Sequence, residues 1–288
     1  MDHVSVVYPN GQKAIFDITV RLDPGQICGV VGMNGAGKST LFKAMMGFVT
    51  PSNGTILIQG DTVQKALQKN VIAYVPQSEN VDWNFPVLVE DVVMMGRYGH
   101  MGFMRNPSQR DRDIVTESLT RVGLVDFRKR QIGELSGGQK KRVFVARALA
   151  QQGQIMFLDE PFTGVDIKTE DALTSLFHKL AKEGQLIVVS THNLGSVPNF
   201  CDTVMLINQR LLAFGPIETT YTQNNLASAF GGMLRRHHLI GSDLHDDADD
   251  RALTVLTDDE RPLVMYGEVG RDKIVPAGTR KKGDTAHD

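Results

Sequence analysis

Two cysteines are spread over 288 residues, and neither belongs to a CxxC pair. That spacing argues against a thiolate metal site or a dithiol redox centre and suits a reducing compartment, where a thiol serves as a small apolar side chain. Cys28, inside the apolar run "ICGVVG", is expected to be buried, and Cys201 leads into another strand-like run. Charge of one sign is also missing. The 31 Lys and Arg nearly balance the 33 Asp and Glu, so there is no global basic field and no nucleic-acid partner is expected. No apolar run approaches the roughly 18 residues needed to span a bilayer, and no secretory leader is recognisable. The polypeptide is expected to be soluble by itself, while still able to dock on something held in a membrane.

What is present is an ordinary globular composition, 41% hydrophobic and 22% charged, ample for one large domain with an appendage. "HVSVVY" and "KAIFDITVRL" read as short strands by alternation and β-branched content. "QICGVVG", "VIAYVPQ", "QIMFLDE" and "QLIVVSTH" are apolar runs of the kind buried on both faces of a parallel sheet. Helices are expected from Lys38 to about Gly47, over 137–152 and over 167–183, and "DTVMLINQRLLAFG" reads as a closing hairpin. Strand–helix alternation predicts an α/β fold with a mostly parallel central sheet, an N-terminal β subdomain and a helical insert at about 86–150. The working domain is placed at 1–235. Residues 236–288, acidic and then polar without a period, are expected to form a partly disordered appendage. No internal repeat is visible.

"GMNGAGKS", Gly32 to Ser39, fits G-x-x-x-x-G-K-[ST] between a buried strand and a helix, which is the context a phosphate-binding loop requires. Gly32, Gly35 and Gly37 would turn backbone N–H groups toward phosphate oxygens, Lys38 would reach the β- and γ-phosphates, and Ser39 would ligate Mg²⁺. Asn34 and Thr40 belong to the same loop. "IMFLDE" ends in two carboxylates at a strand end. Asp159 is expected to hold Mg²⁺ and Glu160, on the opposite side of the strand, to act as general base on water. Gln77 at the end of "AYVPQ" could bridge metal and water, His192 after "VVST" could donate to a γ-phosphate, and Tyr8 could stack on a base. Each of these three also has a bland reading, as a loop glutamine, a strand-end histidine and an edge aromatic. A second glycine-rich helix start, "ELSGGQKKR" at 134–142, has the composition of another anion cradle.

The order Tyr8, "GMNGAGKST", Gln77, "LSGGQ", "MFLDEP", "TGVD", "STHN" closely resembles the ATP-binding subunits of ABC transporters over about 1–230. The resemblance implies a P-loop NTPase fold of the ABC type, ATP and Mg²⁺ as ligands, and a head-to-tail dimer in which Ser136, Gly137 and Gly138 of one copy close over the ATP held by the other. It also implies that Tyr8 stacks on adenine and that Gln77 couples the site to the membrane subunit. Glu160 would be the base, His192 would hold the γ-phosphate, and Asp166 would lie in the loop crossing the dimer interface. "TGVD" departs from the frequent S-A-L-D. Lys140, Lys141 and Arg142 replace the usual residues after LSGGQ, a change expected to be tolerated on a helix exterior. Relatives usually begin a few residues earlier, so the first strand is expected to be short.

Residues 78–107, "SENVDWNFPVLVEDVVMMGRYGHMGFMRNP", resemble the corresponding segment in ATPases of bacterial iron, manganese and zinc importers. The resemblance implies an integral-membrane permease docked on this insert, an extracytoplasmic metal-binding protein upstream, and a peripheral location on the cytoplasmic face of the bacterial plasma membrane. The Met and aromatic residues suit an adaptable docking surface, although they equally suit the core of the insert. A permease-free ABC ATPase is the alternative, the iron–sulfur assembly type above all. Against it stand the importer-like insert, the absence of a coiled coil and the single ATP-binding half. A P-loop kinase would leave LSGGQ without a role. His237, His238 and His245 near acidic residues match no strong metal motif and read as a solvated surface.

Overall fold

The computed structural model describes residues 1–77 and 86–230, together with the strands of a C-terminal sheet between 235 and 273. Strands β1 (Asp2–Val7), β2 (Lys13–Ile18) and β3 (Ile27–Val31) lead into helix α1 (Lys38–Met45). Then come β4 (Asn53–Thr55), β5 (Leu57–Ile58), β6 (Asp61–Thr62), α2 (Val63–Gln68) and β7 (Ile72–Val75). The insert carries α3 (Val89–Met94), a 3₁₀ turn over Met95–His100, α4 (Gln109–Arg121) and α5 (Gly137–Ala150). Elements β8 (Ile155–Asp159), α6 (Ile167–Lys182), β9 (Leu186–Thr191), α7 (Val197–Phe200), β10 (Thr203–Asn208) and β11 (Arg210–Pro216) complete the central layer. Short helices α8 (Ile217–Thr220) and α9 (Gln223–Ala229) precede the C-terminal strands.

The central sheet runs β11-β10-β3-β9-β8-β7, parallel throughout except for the β10–β11 hairpin. Strand alternation splits its side chains between two cores. Ile27 and Val31 face the core shared with α5, α6 and the insert, while Cys28 and Val30 face the core under α1 and the N-terminal strands. The N-terminal layer is a small antiparallel sheet, β2-β1-β4. Helix α1 stops where the sequence says it should. Gly47, at φ +76°, donates to Ala44 O, and Phe48 donates to Lys43 O.

In the insert, α3, α4 and α5 pack on one another, so the block between β7 and β8 is a helical subdomain. Ser108 starts α4 with a reciprocal capping box to Asp111. Arg97, only 4% exposed, donates to Asp111 Oδ1 at 2.9 Å, to Ala150 O at 2.8 Å and to Gln152 Oε1 at 3.0 Å. The turn that carries Arg97 is thereby tied to the far end of α5. Among the described residues no helix is long and apolar enough to cross a membrane.

The C-terminal strands β12 (Arg235–Ile240), β13 (Ala252–Thr257), β14 (Leu263–Glu268) and β15 (Arg271–Lys273) form an antiparallel meander, and Leu263 is buried in the main core. Sequence reasoning did not anticipate these strands, because acidic and polar residues dominate the stretch. The expected disorder of the tail concerns residues largely outside those described, as does His245. His237 and His238 fall on β12.

Candidate functional site: a nucleotide cleft and a separate signature cradle

Four parallel strands deliver their C-terminal ends to one place, as expected of a ligand site in an open α/β sheet. The loop after β3 carries the glycine-rich motif, β7 leads to Gln77, β8 ends at Asp159, and β9 leads to His192. Between them opens a cleft of about 350 Å³ lined by Tyr8, Asn34, Gly35, Gly37, Lys38, Ser39, Thr40, Gln77, Asp159, Glu160 and His192, all of which sequence reasoning had singled out. Gly32 lies at the loop's root, where a Cβ would stand 2.3 Å from the Ile207 carbonyl oxygen, so only glycine fits. Gly37 holds φ +96° at the N-cap of α1, with Ile15 and Ala14 too close for any side chain. The α1 N-terminus therefore presents bare backbone N–H groups to the cleft.

Lys38 is buried, and its ammonium donates to Gly32 O at 2.6 Å and Met33 O at 3.2 Å. Those two bonds use two of its three protons. Burial pulls its pKa down, while Glu160 and Asp159 pull it back up. Tyr8 Oη lies 3.1 Å from Thr40 Oγ1, which fixes the aromatic ring against the start of α1.

Asp159 and Glu160 correct one expectation. Strict strand alternation would send them to opposite sides, yet both line the cleft. Strand β8 ends at Asp159, and Glu160 takes φ +48°, so its side chain swings back. Asp159 Oδ1 accepts from Ser190 Oγ at 2.7 Å. Glu160 is only 6% exposed, its backbone N–H donates to Ser190 O, and its Oε1 sits 2.7 Å from His192 Nδ1. An ionised carboxylate can only accept, so His192 Nδ1 carries a proton in this contact, whether the ring is neutral or imidazolium. Burial raises the Glu160 pKa, and the His192 bond only partly offsets that. A carboxylate made more basic at the cleft wall has the chemistry of a general base. The oxygen donors of Ser39 and Asp159 are the hard ligands Mg²⁺ takes alongside phosphate oxygens.

Ser136, Gly137, Gly138 and Asp166 do not reach this cleft. They form a second cluster where the N-termini of α5 and α6 meet. A Cβ on Gly138 would stand 3.1 Å from Thr169 Oγ1 and 3.4 Å from Asp166 Oδ2, and one on Gly137 3.8 Å from Gly164 O. Asp166 caps α6, accepting from Thr169 N and Thr169 Oγ1, and these bonds hold its carboxyl below the usual range. Ser136 caps α5 through a box with Gln139, whose Oε1 accepts from Ser136 N at 2.9 Å. Gln139 was not singled out beforehand, although S-x-x-Q is itself a helix-start signal.

Further cleft residues were also missed: Gln12, Lys13, Ala14, Met33, Ser190 and Gln209. Lys141, expected on a helix exterior, is instead 9% exposed, and its ammonium donates to Pro76 O at 3.1 Å and Gln77 O at 3.4 Å. The signal was available. Lys141, Phe144, Val145 and Ala148 recur at helical spacing along the buried face of α5.

Known proteins share this layout. The ABC transporter family pattern matches residues 15–163. The chelated iron transport system membrane protein YfeB of Yersinia pestis is 61% identical over 98% of this chain and 95% of its own length. The manganese transport system ATP-binding protein MntA of Synechocystis is 56% identical over 81% of this chain and 90% of its own. Among solved structures, an ABC transporter of metal-chelate type in an inward-facing conformation superposes with a TM-score of 0.72 at 26% identity, covering 89% of this chain and 94% of that one. With a phosphate-binding loop, a paired-carboxylate strand end and an LSGGQ helix start in these positions, the chain belongs to the ABC transporter family as an ATP-binding ATPase subunit.

Proposed function

We propose that the chain is the ATP-hydrolysing, energy-coupling subunit of a membrane importer for a transition-metal ion, of the iron, manganese and zinc class, and that it works as an ATP-sandwiched dimer. One observation carries the proposal: the chain holds two anion-directed half-sites that do not meet. The cleft around Lys38 lacks the LSGGQ cradle, and the cradle around Ser136 lacks a phosphate-binding loop. Two copies arranged head-to-tail would complete both, with ATP as the shared anion and two helix N-termini as donors. Mg²⁺ would be held by Ser39 and Asp159, with Gln77 beside them. Glu160 would take the proton of the attacking water while His192 holds the γ-phosphate. Loss of the γ-phosphate removes the contact that distinguishes the closed dimer from the open one.

The assignment to metal import rests on the relatives named above and on the insert. Met95 (41% exposed), Tyr98 (39%), Phe103 (104%) and Met104 (74%) stand out from it, a soft apolar surface suited to an integral-membrane permease. The subunit would then lie peripherally on the cytoplasmic face of the bacterial plasma membrane, served from outside by a metal-binding protein. Residues 1–235 would form the ATP-binding domain and 236–288 its appendage.

The test is capture of tagged Glu160→Gln with ATP from detergent-solubilised native membranes, with mass spectrometry of what accompanies it. A polytopic permease, with or without a metal-binding partner, is the expected result. Soluble partners alone would overturn the importer assignment.

A further inference from the structure

Strand β7 ends at Val75 because Pro76 has no N–H to continue the ladder. The carbonyls of Pro76 and Gln77 lie just beyond the strand, where the chain enters the nucleotide cleft. The donor that meets both is the Lys141 ammonium, at 3.1 and 3.4 Å. Lys141 lies in the second turn of α5, five residues after Ser136, on the buried face of the helix. Placing an ammonium there is costly unless its protons are taken up, and charge-assisted bonds to carbonyls do so. The resulting contact joins two separate pieces of machinery: Gln77, which lines this chain's own cleft, and the helix whose N-terminus is the LSGGQ cradle, which does not reach that cleft.

We propose that Lys141 is a positioning residue that fixes Gln77 to the signature helix, so that the occupancy of one nucleotide site is felt by the cradle closing over the other. The inference rests on the two-copy reading above. In it, the Gln77 of a subunit serves that subunit's ATP, whereas its α5 serves the second copy's ATP. A shift of Gln77 toward metal and water would pull on α5 through Lys141, and a shift of α5 on closure would move Gln77. A lysine at this position reaches both carbonyls from the helix. An apolar side chain of the same length keeps the packing and loses the link.

A double-mutant cycle on steady-state ATP hydrolysis by the full chain tests this. Lys141→Met is expected to lower kcat about tenfold in the wild-type background, the scale of one charge-assisted hydrogen bond, with KM within about twofold. In a Gln77→Ala background the same change is expected to cost less than about twofold: the backbone carbonyls that Lys141 bonds remain, but the side chain whose placement they set is gone. Lys141→Arg, which retains the donors, is expected to recover most of the rate. Equal losses in both backgrounds, or no loss in either, would overturn the role given to Lys141. If Lys141→Met proves unfolded by its thermal melt, Lys141→Leu, which likewise has no donor, carries the same cycle with the same criteria. The two-copy reading is tested separately by light scattering of Glu160→Gln with ATP and Mg²⁺. Absence of a dimer there removes the premise and the inference with it, whereas a dimer together with an additive cycle removes the inference alone.

Discussion

Glu160 holds a left-handed backbone that costs a non-glycine residue roughly 1–2 kcal/mol, and it buries a carboxylate beside His192 at 2.7 Å. Both features reduce stability and hold the carboxyl at the wall of the cleft, the kind of strain that clusters at functional positions. The sign of its pH effect follows from the raised native pKa. Below the ordinary glutamate value of 4.5 the group is protonated in both states and costs nothing. As pH rises through the raised native pKa, the folded state loses stability relative to the unfolded one and does not regain it. Glu160→Gln should therefore melt higher than wild type at pH 7.5, with the gap closing below pH 4.5, while hydrolysis falls at least about a hundredfold. An unchanged or lower melting temperature at pH 7.5 would contradict the picture of a desolvated charge. Lys38→Ala should weaken ATP binding at least about tenfold by calorimetry, since a charge-assisted phosphate contact is worth more than 1.4 kcal/mol. At this scale the sequence was informative about which residues meet in the cleft and poor about how they sit. Motif spacing located Lys38, Asp159, Glu160 and His192, but period-2 alternation misplaced Glu160 because the strand ends one residue earlier. Lys141 was misread because its charge was given more weight than the helical stripe it belongs to.

At the scale of elements, the helices of the insert share an apolar core, and buried polar contacts pin its turn. Arg97 joins α4, the end of α5 and the turn beside Tyr98, and the Ser108 and Arg97 bonds hold the Asp111 carboxyl down at about 2. That depressed pKa means the carboxylate adds stability above the ordinary aspartate value of 3.8 and loses it as pH falls toward about 2. Arg97→Ala leaves Asp111 buried without its cation and should cost about 3–5 kcal/mol of unfolding free energy, measured by urea titration. A loss under about 1 kcal/mol would mean that the pair is dispensable. The central strands were legible because apolar runs of five or six residues bounded by Gly and Pro have few other solutions. The C-terminal meander was not, because β12 begins Arg-Arg-His-His and reads as surface until its partners β13 and β14 are known. Pairing between distant segments is information that local periodicity does not contain.

The whole molecule is organised around incompleteness. Its nucleotide cleft and its LSGGQ cradle lie apart, and the capping box at Ser136 keeps the cradle preformed. Ser136→Arg should leave the ATP affinity of a single copy within about twofold, since Ser136 lies outside the cleft. The same change should abolish closure by steric conflict, read as loss of hydrolysis. The measurement that tests the account most directly is the mass of Glu160→Gln by light scattering, with and without saturating ATP and Mg²⁺. The account predicts a dimer with nucleotide that Ser136→Arg, added to the same chain, returns to monomer. A monomer at saturating ATP, or a dimer indifferent to Ser136→Arg, would contradict it.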